Sequence, residues 1–249
     1  MIKNLKNFIY KSLGLKNYLR LLQRGYFLAY KTGLLKGNRN YSYHHFVKTL
    51  IRKGDVIIDI GANLGYYSIL FAKWTGPEGK VYSVEPIQIY NQIFNEKAKK
   101  FRNIKLYPYA LGLEEKPIEM VSSPASVYLS TGLPHVYDSG KDGSIENQKF
   151  RFEAQMKIPS RLFKDLEKID YIKCDIEGFE YTVLSDMKEI IRRCKPKVQV
   201  EVWQENEAQI LHLFNDLGYL PYKLHQNQLV LQTEKENPLP GDYIFIYNK

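Results

Sequence analysis

The residues of this chain best suited to chemistry are acids and glycines set at the ends of apolar runs. Asp59-x-Gly61-x-x-x-Gly65 begins within the end of the β-branched run Val56–Ile60, and Glu85 lies twenty residues beyond Gly65. A glycine just past a strand lets the backbone turn tightly and lets a ligand approach where a Cβ would obstruct it. A pyrophosphate-binding loop would carry Gly-x-Gly-x-x-Gly at this point. Here Asp59 takes the place of the first glycine. Its carboxylate would repel a pyrophosphate but could accept hydrogen bonds from a cationic or amino-bearing group. An acid at the end of the second strand, as Glu85 is, can take both hydroxyls of a ribose, with Pro86-Ile87 as an apolar edge beside it. This combination suits S-adenosylmethionine better than a nicotinamide dinucleotide.

A second acidic pair, Asp175 and Glu177, stands one residue apart in Asp170-Tyr-Ile-Lys-Cys-Asp-Ile-Glu-Gly-Phe-Glu180, with Gly178 permitting a sharp turn into the next helix. Either acid could act as a general base, or Asp175 could hold an amino group while Glu177 caps the turn. Glu180 reads as an ordinary first-turn acid favoured by the helix dipole. His44-His45 offers another base by residue type, but such a pair on a helix face is expected to be packed or solvated.

These residues need elements to position them. Residues 2–23 read as a basic amphipathic helix, with Leu5, Phe8, Ile9, Leu13, Leu15, Leu19 and Leu22 at helical spacing and Gly14 as a point of division. A second helical stretch covers Tyr43–Ile51. Strands are expected at Val56–Ile60, Val81–Val84, Ile104–Tyr107, Tyr171–Cys174 and Lys197–Val202. Helices are expected through Ala72, over Ile87–Phe101, Tyr181–Arg193 and Glu207–Leu217. This alternation predicts an α/β fold with a mostly parallel, doubly wound sheet, its unbroken β-branched strands covered on both faces. The last two strand-like runs, Gln228–Gln232 and Tyr243–Tyr247, are expected to add an antiparallel hairpin at one edge. Residues 122–150, rich in Ser, Gly, Asp and Pro, read as a long mobile loop or lid. The domain reading is a basic helical extension over 1–45 and a catalytic domain over 46–249.

Charge divides along the same line. The chain has a net charge of +9, yet residues 1–54 hold twelve Lys or Arg and no acid, so the remaining 24 basic residues face 27 acidic ones. The basicity belongs to the N-terminal arm, which could meet an anionic membrane surface through residues 1–25. No run approaches the ~18 apolar residues of a membrane span, and the N-terminus lacks the apolar core of a secretory signal. With only Cys174 and Cys194, neither a disulfide framework nor a zinc site is expected, which points to reduced thiols in a cytoplasmic protein, peripheral at the membrane if the arm binds there.

With these runs in view, the chain resembles the FkbM family of class I S-adenosylmethionine-dependent methyltransferases, with their Rossmann-like fold. The matching stretches are Gly54–Ser68, Val84-Glu-Pro86, Tyr109-Ala-Leu-Gly112 and Ile172–Gly178, with Val200-Glu201 and Asp242–Ile246 fitting as well. The resemblance covers roughly residues 50–247. It implies O-methylation, in many members on a sugar or polyketide hydroxyl, so a glycan or other hydroxyl-bearing acceptor is expected. By position it implies that Asp59, Gly61, Asn63, Gly65 and Glu85 hold the cofactor and that Ala110 and Leu111 flank the adenine; Ala62, Pro86 and Asp175 are further candidates for cofactor contact. A divalent metal such as Mg²⁺ on Asp175 and Glu201 would imitate catechol-type O-methyltransferases, but so few carboxylates argue against it.

The rival readings are weaker. An NAD-dependent oxidoreductase or epimerase would need the missing first glycine. A nucleic-acid methyltransferase would fit the basic arm, but the chain has neither an Asn/Asp-Pro-Pro-Tyr/Phe motif nor a Pro-Cys nucleophile. A peripheral membrane-binding module would use the basic amphipathic helix as its anchor, but a helix packing over its own catalytic domain has the same pattern.

Overall fold

A computed structural model describes residues 2–122, 134–232 and 241–248 of the chain. In chain order its elements are α1 (Ile2–Thr32), α2 (Ser42–Phe46), β1 (Val56–Ile60), α3 (Tyr66–Thr75), β2 (Lys80–Val84), α4 (Gln88–Ala98), β3 (Ile104–Tyr107), β4 (Tyr109–Leu111), β5 (Lys116–Ser122) and β6 (His135–Val136). There follow α5 (Ser139–Asp142), β7 (Phe150–Lys157), α6 (Pro159–Leu162), β8 (Tyr171–Cys174), α7 (Glu180–Asp186), α8 (Lys188–Cys194), β9 (Lys197–Val200), α9 (Glu207–Asp216), β10 (Tyr219–His225), β11 (Gln228–Leu231) and β12 (Tyr243–Tyr247).

The main sheet has the order β11-β10-β12-β9-β8-β1-β2-β3. Its five strands from β9 to β3 are parallel. Ile57, Ile58, Ile60, Ile172, Val198 and Val200 are fully buried, which accounts for their continuous apolar character without polar alternation. The sheet is covered on both faces, as the alternation predicts. Strand order reverses at β1, with β2 on one side and β8 on the other, so a crevice opens beyond their carboxyl ends.

Three sequence expectations need correction. The C-terminal strands do not form a hairpin with each other. β12 lies antiparallel between β9 and β10, and the hairpin partner of β11 is β10. The helix expected over Tyr181–Arg193 breaks at Met187 into α7 and α8. Of the loop expected over 122–150, residues 123–133 lie outside the described residues, and the rest is structured. β5, β6 and β7 join β4 in a second, four-stranded sheet of order β4-β7-β5-β6. In β7 the period-two alternation of Phe150, Phe152, Ala154 and Met156 is the local signal for this sheet: these side chains are more buried than Arg151, Glu153 and Gln155 between them.

The N-terminal helix packs on the body. It kinks at Gly14, whose φ is 69°, and its inner face presents Tyr18 and Leu19 to Leu64, Ile87, Tyr90 and Ile93. Gln23 donates from Nε2 to the carbonyls of Leu64 and Ile93, and Arg20 forks onto Glu96 of α4. The outward face exposes Leu21 and Leu28 beside Arg24 and Lys31. No helix among the described residues is long and apolar enough to cross a membrane.

Candidate active site

The loop after β1 is built around two close approaches. A Cβ on Gly61 would stand 1.8 Å from the carbonyl oxygen of Asp175, and φ there is +81°. The loop is also tied to β2, because the amides of Gly61 and Ala62 both donate to the Val84 carbonyl. Gly65 serves a different contact: it is not part of the cleft lining, and a Cβ on it would meet the Phe94 ring at 2.4 Å. Its work is to let the start of α3 close onto α4.

Asp59, Gly61, Ala62, Asn63, Glu85, Pro86, Asp175 and Glu177 therefore line one cleft of about 170 Å³. Ala110 and Leu111 line a smaller apolar slot of about 40 Å³ that shares Gly61, Pro86, Met120 and Ile176 with the cleft. Glu85 is the hinge of this end. Its Oε2 accepts from the Asn63 amide at 2.8 Å and its Oε1 from the Ile87 amide at 2.9 Å. Burial pushes its carboxyl up to about 7 against those hydrogen bonds. Each oxygen keeps a second lone pair for a ligand hydroxyl.

At the other end, Asp59 is fully buried. Its Oδ2 accepts from Ser68, which in turn accepts from Ser83. Oδ1 has no partner among the described residues, so a buried acceptor is left for a donor such as an amino group. Such an orphaned acceptor, the apolar slot and the glycine-lined approach together fit S-adenosylmethionine.

The acids after β8 differ in their surroundings. Asp175 Oδ2 accepts from Lys173 Nζ at 2.7 Å. This holds the Asp175 carboxyl below its ordinary value despite burial, and a hydrogen bond from Glu201 helps. Glu201 is pushed up to about 9, first by burial and then by that hydrogen bond, so it is a neutral acid donating to Asp175 at physiological pH. Glu177 is pushed up to about 7 by burial and by the Asp175 charge. It sits in the left-handed region at φ 54°, followed by Gly178 at φ 96°.

Glu180, expected as an ordinary first-turn acid, is 1% exposed and clamps this turn by accepting from the amides of Ile176 and Gly178. The capping task considered for Glu177 thus belongs to Glu180. Asp175, Glu177 and Glu201 each bring an oxygen within 4.8 Å of the others, close enough to share one cation. The ammonium on Asp175 and the proton on Glu201 both work against one.

Two further residues line the cleft, one unremarked in the sequence and one expected there to be only packed or solvated. Lys173 is 3% exposed, and the signal for it is a lone cation inside an apolar strand, two residues from Asp175 and so on the same face. His44 is the other. Its ring stacks on Tyr67 with centroids 4.1 Å apart and its Nδ1 lies 2.6 Å from the Tyr26 hydroxyl. Burial, with Lys173 nearby, pushes it down to about 3, so it is neutral. His45 packs instead on the Tyr30 ring. No local signal separates the two histidines, because α1 decides which one faces the cleft.

Comparison with known proteins matches this geometry. A family model described as the methyltransferase FkbM domain matches residues 59–221. Methyltransferase sdnD of Sordaria araneosa is 26% identical over 195 residues, which make up 66% of this chain and 73% of that protein. The crystal structure of methyltransferase FkbM from Methylobacillus flagellatus KT superposes with a TM-score of 0.50 at 15% identity, over 80% of this chain and 45% of that one. The match spans all three acidic strand ends, β1, β2 and β8, and the chain belongs to the FkbM family of S-adenosylmethionine-dependent methyltransferases, with the class I α/β fold.

Proposed function

We propose that the chain methylates a hydroxyl oxygen of a sugar, a glycan or a related small molecule, with Glu177 as the general base. The observation that carries this reading is the contrast between the two acids after β8. Asp175 is held by Lys173, whereas Glu177 lines the cleft with a carboxyl near 7, where a base works best at neutral pH.

When bound, S-adenosylmethionine supplies an electrophilic methyl group on a sulfonium. Asp59, through its unpartnered Oδ1, would receive the amino group, Glu85 the ribose hydroxyls, and Ala110 with Leu111 the adenine. Glu177 would take the hydroxyl proton of the acceptor as its oxygen received the methyl group and the thioether left. Alignment of the oxygen ~3–3.5 Å from the methyl carbon supplies much of the acceleration.

Transfer of an isotopically labelled methyl group into fractionated cell extract tests the reading, with Asp59→Ala as control. Label in base-stable ether linkages of a glycan or small molecule is the expected result. Label only on nitrogen, carbon or RNA would overturn it.

The outward face of α1 supports a second reading, a cytoplasmic enzyme peripheral to an anionic membrane. Leu21 and Leu28 are exposed there beside Arg24 and Lys31. Cosedimentation with phosphatidylglycerol vesicles, compared with Leu21→Ser/Leu28→Ser, tests it; equal failure of both proteins to bind removes it.

A further inference from the structure

Glu177 has a second side. Besides the cofactor cleft, it lines a separate cavity of about 370 Å³ between β6–α5 and the segment after β9. That volume lies in the range that holds a small organic ligand. Gly178 and Phe179 line it together with Trp203, Glu205, Asp138 and Lys141.

Trp203 is the unusual member. A large aromatic ring normally buries most of its surface, yet this one is 45% exposed, and its indole takes no hydrogen bond or ring contact among the described residues. It follows Glu201 by two residues, so one short segment sets an acid against Asp175 and an indole at the neighbouring cavity. Asn206 fixes that segment by donating from Nδ2 to the Gly178 carbonyl at 3.0 Å. The turn bearing Glu177 and the segment bearing Trp203 are thereby held together.

We infer that this cavity is the acceptor subsite, with Trp203 as a platform for the apolar face of a sugar ring and Lys141 and Glu205 as partners for its hydroxyls. A sugar ring has this dual character: C–H bonds gather on its faces and hydroxyls on its edge. An aromatic plane ringed by an ammonium and carboxylates matches both. A ligand seated on Trp203 has Glu177 at the boundary with the cofactor cleft, where one hydroxyl can give up its proton. The inference rests on the O-methylation reading for its catalytic part, while its binding part stands separately.

The two parts can be tested apart. In a Trp74→Phe background Trp203 is the sole tryptophan and reports on its own surroundings. We expect saturable changes in its emission on titration with at least one of a panel of methyl hexosides and methyl 6-deoxyhexosides, with S-adenosylhomocysteine present. No change with any member would overturn the subsite.

For an acceptor that receives methyl, Trp203→Ala should raise the acceptor KM about tenfold or more and leave the cofactor KM within about twofold. Trp203→Phe should restore most of the loss. Methyl transfer to a sugar with an unchanged acceptor KM in Trp203→Ala would overturn the subsite and leave O-methylation standing. Saturable sugar binding in a protein that methylates only nitrogen or carbon would do the reverse.

Discussion

Lys173 Nζ lies 2.7 Å from Oδ2 of Asp175, and this ion pair divides the labour between the two acids after β8. The buried ammonium also faces Asp59 and Asp242, and together these carboxylates keep it charged despite the burial that opposes it. Asp175 is consequently a fixed anion. Glu177, without such a partner, is left near neutrality.

Lys173→Met should remove the counter-charge from these acids. Breaking a fully buried pair costs about 3–5 kcal/mol; with the Asp175 side chain 37% exposed, a loss of about 2–3 kcal/mol at pH 7 is the discounted expectation. The Asp175 pKa is lowered, so its contribution is present above the unfolded value of about 3.9 and disappears as pH falls through the folded one. The Lys173 pKa is raised, so its contribution is present below about 10.4 and lost only at higher pH. Urea titrations of both proteins between pH 3 and 9, run at roughly unit intervals, check this; equal stabilities at neutral pH would contradict it.

Glu177→Gln should lower kcat by about 10²–10⁴-fold with little change in cofactor affinity. Because the base must be ionised, log kcat/KM of the wild type should rise with unit slope up to about pH 7 and then level off. The same raised pKa means that ionising Glu177 disfavours the fold above that pH, so Glu177→Gln should melt higher than wild type at pH 8. Wild-type turnover in the variant would remove Glu177 from the chemistry.

Asp59→Asn replaces a buried carboxylate that has one oxygen unpartnered. A hydrogen bond to a charged group contributes about 1.5–3 kcal/mol, so S-adenosylmethionine should bind about 10–100-fold more weakly. Calorimetry reads this directly, and an unchanged Kd would place the amino group elsewhere.

Gly61→Ala would drive a methyl group into the Asp175 carbonyl, 1.8 Å away, at a backbone φ of +81°. The turn or the end of β8 must move, and a loss of more than about 3 kcal/mol is expected together with loss of cofactor binding. Thermal melting and calorimetry on the same preparation would show whether both fall, and retention of either at the wild-type level would contradict the close packing of the two loops.

Excess EDTA should leave methyl transfer undiminished, since the ammonium on Asp175 and the proton on Glu201 oppose a cation among these three acids. Loss of activity restored by Mg²⁺ would show that both rearrange in the working enzyme.

What could be read along the chain was whatever local pattern encodes. β-branched runs gave the parallel strands, and strand–helix alternation placed the carboxyl ends of those strands at one end of the sheet. Asp59, Glu85, Asp175 and Glu177 could therefore be assigned to one crevice from their positions alone. The glycine at 61 was legible for the same reason, because a turn directly after a strand is a local event.

Pairing and environment were decided only in three dimensions. β12 entering between β9 and β10, and β7 assembling the second sheet, depend on which edges meet after long loops close, and edges carry little signature of their partners. His44 reached the cleft because α1 packs over α3 and α4. The charge states of Glu85, Asp175, Glu177 and Glu201 depend on burial and on Lys173. Residue types name the chemistry available, but desolvation and neighbouring charge are properties of the packed interior, and they determine which of four carboxyls can take a proton at neutral pH.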